Sequence, residues 1–174
     1  MKRGEKKMSE TKDGIKLKSV YEILKFKGDY RSLAEALQHE QPFAHETFSQ
    51  NVALNEGINE AWDLICGTGS PTAYSNANAR VGVGDGTAGA NASQTGLQGT
   101  NKAFVGMDTG YPTTDNQQAV FQGTFGDAQA NFAWEEYTVV NAADDTGKNL
   151  VRKVENHGTK NGGTWVLKIT LTMS

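Results

Sequence analysis

Large apolar and polar side chains alternate through the closing run of the chain, where Trp165, Leu167, Ile169, Leu171 and Met173 share one parity and Val166, Lys168, Thr170 and Thr172 the other. Each parity of a pleated strand occupies its own face, so this pattern predicts a strand over 163–174 whose apolar face other strands must cover. The same parity recurs upstream. Gln118–Phe125 sets Ala119, Phe121, Gly123 and Phe125 on one side, and 131–140 sets Phe132 and Trp134 together. Further strands are expected at 47–52, 79–83, 103–107 and 150–154. Turns separate them at Gly110-Tyr111-Pro112, at 127–130 and at Lys160-Asn161-Gly162-Gly163, where Asn-Gly tolerates the positive φ of a tight hairpin.

Helical spacing occurs twice. Asp29 can cap a short helix over 32–38 that gathers Leu33, Ala34 and Leu37 on one side and stops before Pro42. Asn55 reads as the N-cap of a second helix, with Ile58, Ala61, Trp62 and Ile65 at i, i+3, i+4 and i+7 and Gly67 at its end. Glu56 and Glu60 fall in its early turns, where the helix dipole favours negative charge. Trp62 and Ile65 are expected to pack this helix on the sheet. In Leu17–Phe26, Val20, Tyr21, Ile23, Leu24 and Phe26 mix with lysines, and neither the helical nor the strand period prevails. The expected fold is mainly β: an antiparallel β-sandwich with one or two short helices and an extended N-terminal arm. Residues 1–46 form the basic arm with its short helix, and 47–174 the sandwich body.

Composition adds one demand to this picture. The tract 67–100 is built largely of Gly, Ala, Asn, Ser and Thr, so neighbours must hold its backbone, and its small, mostly uncharged residues also suit close approach of protomers in a homotrimer. Charge divides the chain: residues 1–31 carry ten Lys or Arg against five acids, leaving seven against fifteen in the rest. Lys2, Arg3, Lys6, Lys7, Lys12, Lys16 and Lys18 are therefore candidate partner-binding residues for an acidic protein surface. Scattered lysines without interleaved aromatics point away from nucleic acid. No apolar run is long enough for a secretory signal or a membrane span, so synthesis in a cytoplasm and no membrane partner are expected.

Catalytic, cofactor and metal residues are not expected. Cys66 is the sole cysteine, read as a buried thiol, which excludes an internal disulfide. Gly82-Val83-Gly84-Asp85-Gly86 lacks the GK[ST] and the following helix of a nucleotide loop, and its glycines read as places of close backbone approach. His39, His45 and His157 have no metal-ligand spacing and are read as surface or loop residues. Asp144 and Asp145 before Gly147 read as a solvated turn rather than a calcium loop. Glu135 and Glu136 are adjacent in a strand, point to opposite faces and cannot work as an acid–base pair. Tyr74, Tyr111 and Trp134 could form a shelf for a carbohydrate, although core or turn positions are the favoured reading.

Several phrases occur together: NVALNEGINEAWDLICG at 51–67, ARVGVGDGT at 79–87, QTGLQGTNKAF at 94–104, GYPT at 110–113, ANFAWEEYTVVN at 130–141, NLVRKVENHGTK at 149–160 and GTWVLKITLTMS at 163–174. This set resembles a family of small, β-rich virion structural proteins of tailed bacteriophages, over residues 50–174. The resemblance implies a non-enzymatic component of the particle and does not decide between the head and the tail. The expected function is capsid decoration, anchored to the major capsid protein; the alternative is a tail-fibre or baseplate module that contacts the host surface.

Overall fold

The computed structural model describes residues 15–174; Lys2, Arg3, Lys6, Lys7 and Lys12 lie outside the described residues. The chain runs β1 (Leu17–Phe26), α1 (Leu33–His39), β2 (Ala44–Ser49), β3 (Val52–Ala53), α2 (Asn55–Cys66), β4 (Arg80–Gly84), β5 (Lys102–Gly106), β6 (Thr113–Asp115), β7 (Gln118–Phe125), β8 (Glu136–Val140), β9 (Asn149–Val154) and β10 (Thr164–Met173). Two five-stranded sheets result, sheet A in the order β2-β1-β10-β7-β6 and sheet B in the order β3-β9-β8-β4-β5. All pairings are antiparallel, and the two sheets face each other as a β-sandwich. No helix among the described residues is long and apolar enough to cross a membrane.

The terminal strand β10 is the middle strand of sheet A. Its partners are β7, in register from Trp165↔Phe125 to Thr172↔Gln118, and β1, from Leu17↔Met173 to Phe26↔Thr164. Trp165, Leu167, Ile169 and Leu171 enter the core between the sheets, as the alternation requires. Val166, on the opposite face, is buried with Phe26 and Ala36 beneath α1.

That second cluster explains why Leu17–Phe26 has no clean period. β1 sends Tyr21 and Ile23 into the main core, while Leu24 and Phe26 on its other face lie under α1. A strand apolar on both faces loses its alternation. The expected division at residue 46 therefore falls inside sheet A, which holds both β1 and β2, with α1 packed on it.

Other boundaries moved for local reasons. The strand expected over 47–52 is split between the sheets, because Gln50 takes φ 72 and turns the chain from β2 into β3. The strand expected over 131–140 starts only at Glu136. Before it the indole of Trp134 turns into the core, donates from Nε1 to the Ala130 carbonyl and meets Phe125 and Trp165 edge-on. Ser32 rather than Asp29 caps α1, accepting from Glu35 N, while Asp29 accepts from Asp127 N. Gly123 lets the sheets close, since a Cβ there would lie 2.6 Å from Val81 Cγ2.

Candidate functional site

The polar tract after α2 is a covering layer on sheet B. Glu136 and Arg152 project from the outer face of β8 and β9, both fully buried, with Arg152 Nη2 2.6 Å from Glu136 Oε2. Glu136 accepts from the Gln98 and Gly99 amides, and Arg152 Nη1 donates to the Ala88 carbonyl and the Gln94 side chain. Asp85 accepts from both nitrogens of Asn101. Gly84 and Gly86 are glycines because the Glu136 carboxylate lies where their Cβ atoms would be. Close approach is thus the role of this glycine run. An ion pair this deep, satisfied by loop backbone, clamps a segment too poor in apolar side chains to hold itself.

A second polar cluster joins β1, β2 and the loop after β9. Lys25 Nζ lies 2.5 Å from Glu46 Oε1, 2.7 Å from the His157 carbonyl and 4.2 Å from the centre of the Trp165 ring. His157 stacks on Phe48 at 3.9 Å and contacts Glu46 through Nδ1 and Glu155 through Nε2. The expected surface or loop positions hold: His39 and His45 are exposed, and His157 lies in the loop after β9, where its ring is nearly buried. Burial pushes the Glu46 carboxyl up, but the hydrogen bonds from Lys25 and His157 outweigh it and hold the group below its ordinary value. Lys160 is buried with its ammonium on the Gly126 carbonyl at 2.8 Å, the Asp127 carbonyl and Asn131 Oδ1. Burial holds its pKa below the ordinary lysine value.

The residues considered for calcium serve the loops. Asp144 accepts from Thr146 N, and Asp145 pairs with Lys102 at 2.9 Å and accepts from Leu97 N. Among the described residues no three His, Cys, Asp or Glu side chains converge to hold a metal ion.

The three aromatics considered for a shelf are separated. Trp134 is in the core, and Tyr74 is half-buried with its hydroxyl on the Lys148 carbonyl. Tyr111 alone borders open clefts. Two adjoining depressions of about 490 and 590 Å³ share Met107, Thr109 and Tyr111, and the larger also meets Arg31, Asp108 and Gln122. Asp108 Oδ2 already accepts from Gln122 and Thr124, each at 2.9 Å.

The largest departure from expectation is α2. Glu56 accepts from Asn149 N, Glu60 from Thr72 N and Asn141 Nδ2, and Asp63 from the Thr68 hydroxyl. Gly57 lies against β9, where a Cβ would come within 2.4 Å of Leu150 Cα. Glu56 and Glu60 therefore face the body, Asp63 bonds within the exposed turn after the helix, and Ile58, Trp62 and Ile65 face water. Trp62 and Ile65 do not pack the helix on the sheet. Cys66, one residue further on, is exposed rather than buried. Leu54 precedes the helix without a side-chain cap, and Gly67 at φ 64 ends it as expected.

Two of the candidate basic residues lie within the described chain. Lys16 is exposed, its backbone paired with Ser174 at 2.8 and 3.0 Å, and Lys18 is exposed on β1 opposite Thr172. Leu17, at the start of β1, lines one groove with Met173 and with Leu150, the residue beneath Gly57. The fold and its surfaces define a two-layer antiparallel β-sandwich with an exposed apolar helix face. No protein-family model, curated protein or solved structure matches this chain.

Proposed function

We propose that this chain is a non-enzymatic structural protein of a tailed-bacteriophage particle, a decoration protein held on the capsid shell as a homotrimer. The reading rests on the set of phrases over 50–174 and on one structural observation. A sandwich whose buried charges are tied into its own loops carries an exposed apolar helix face, and Lys16 and Lys18 are exposed where β1 starts. Such a body serves as a rigid block and places its binding surface outside. Lys2, Arg3, Lys6, Lys7, Lys12, Lys16 and Lys18 supply the charge that docks on acidic major capsid protein, and the reading needs no cofactor, nucleic acid or membrane.

Binding of the full chain and of a chain lacking residues 1–14 to particles stripped of it tests this reading at low and high salt. The full chain is expected to bind more tightly and to weaken with salt, because exposed pairs are screened beyond about 8 Å at physiological ionic strength. Equal, salt-insensitive binding by both would remove the electrostatic anchor, and finding the protein only on tails would sink the decoration reading. The clefts at Tyr111 favour a second reading, a tail module that contacts host glycans. Binding to host cells that Tyr111→Ala abolishes would select it.

A further inference from the structure

The turn from Met107 to Tyr111, between β5 and β6, is held from several sides although its own residues are half-buried or exposed. Asp108 donates from its amide to the Gln122 carbonyl at 2.8 Å, and its own carbonyl accepts from Tyr111 N at 3.0 Å. Asn76 Nδ2 donates to the carbonyls of Asp108 and Tyr111, at 3.3 and 2.6 Å. Gln122, only 4% exposed, and Thr124 fix the Asp108 carboxylate through Oδ2. The framework that carries Asp108 and Tyr111 is therefore set before any ligand arrives, which lowers the cost of binding.

This framework presents a mixed surface. Tyr111 belongs to both depressions, with Met107 and Thr109, so it stands where they join. Their volumes of about 490 and 590 Å³ are those of small-ligand clefts. Among the described residues only Gln122 and Thr124 bond the Asp108 carboxylate, so Oδ1 keeps its lone pairs. Arg31 lines the larger depression with Asp108, and among the described residues its guanidinium joins no ion pair.

Chemistry narrows the ligand. A group that serves a carboxylate and a guanidinium in one depression must both donate and accept, as a hydroxyl does. The body from Leu17 carries eleven Lys or Arg against seventeen Asp or Glu, so its overall charge opposes an anionic chain. The smaller depression is lined by loop residues alone and offers a peptide no strand edge to pair with. A neutral saccharide meets each condition, with hydroxyls around its rings for Asp108 and Arg31 and a C–H face for an aromatic side chain.

We infer that the clefts at Tyr111 bind a neutral saccharide chain of two or more rings, Tyr111 lying between neighbouring rings, Asp108 accepting from hydroxyls and Arg31 donating to them. The inference rests on the second reading, the tail module that contacts host glycans, and adds the ligand class. On an array of neutral and anionic glycans the full chain is expected to capture neutral ones of two or more rings. Titration of a captured glycan into isotope-labelled protein should shift the amide NMR signals of Asp108, Thr109 and Tyr111. Arg31→Ala and Tyr111→Ala should each weaken binding by about tenfold. The Arg31 side chain is exposed and unpaired among the described residues, so its variant keeps the test sound if Tyr111→Ala unfolds. An array that captures nothing, capture of anionic glycans alone, or binding that neither variant weakens would overturn the inference. Glycan binding by a chain that does not attach to host cells keeps the cleft and rejects the tail module, so the two fail separately.

Discussion

Arg152 and Glu136 take two full charges out of water beneath a loop that has almost no side chains to bury. Their joint contribution to stability is small by the usual balance of desolvation against attraction, but removing one leaves the other buried and unpaired. Arg152→Ala is expected to destabilise the protein by about 3–5 kcal/mol, read from denaturant melts, and to speed hydrogen exchange at the Gln98 and Gly99 amides first. Glu46 gives a pH signature. Its folded pKa lies below the ordinary 4.5, so its stabilisation is present above that value and is lost as pH falls through the lower folded one. Glu46→Gln should therefore melt below the parent protein at neutral pH, and the gap should close as pH falls below 4.5. That Glu135 and Glu136 face opposite ways was legible in the sequence. The strand expected over 131–140, however, gave Glu136 the face of Phe132 and Trp134, whereas β8 starts at Glu136 and sends Tyr137 and Val139 into the core instead. The partner of Glu136 was not legible either, because nothing local links position 136 to 152 or to the 85–101 loop.

Among the elements, α2 teaches most about reading a helix. Its acids at 56, 60 and 63 and its apolar residues at 58, 62 and 65 repeat with the same spacing, offset by two residues or about 200°. Periodicity alone favours burying the apolar stripe. The body instead presents unpaired donors, Asn149 N, Thr72 N and Asn141 Nδ2, which Glu56 and Glu60 satisfy, and Gly57 permits the close approach. Gly57→Ala raises helix propensity by up to about 1 kcal/mol, yet its methyl would collide with the Leu150 backbone. The variant is expected to melt lower than the parent, with the loss traced to α2 by hydrogen exchange. α1 was placed within a residue of its position because Pro42 stops it, but Ser32 rather than Asp29 caps it, and Ala36 is its buried residue while Ala34 and Leu37 of the expected apolar side are exposed.

At the scale of the whole molecule, β1 and β10 join the two ends of the described chain, Leu17 opposite Met173, at the centre of one sheet. Neither can be covered before the other is made. A chain ending at Gly163 would leave β1 and β7 without the strand between them and lose Trp165, Leu167 and Ile169 from the core. It is expected to be unfolded by far-UV circular dichroism. Pairing so distant in sequence also predicts slow refolding, in milliseconds to seconds, measurable by stopped-flow fluorescence of the buried Trp134.

The sequence by itself determined the fold class, the strand parities of β7 and β10 and the glycine that ends α2, because alternation, turn residues and caps act over a few neighbouring positions. It also indicated that the tract 67–100 must be held by something else. Only the tertiary structure decided that Leu17–Phe26 is a central strand, that Glu136 and Arg152 hold the loop over sheet B, and that α2 turns its apolar side to water. Each of these depends on which donor, charge or apolar surface a distant segment brings opposite, and no local pattern carries that information.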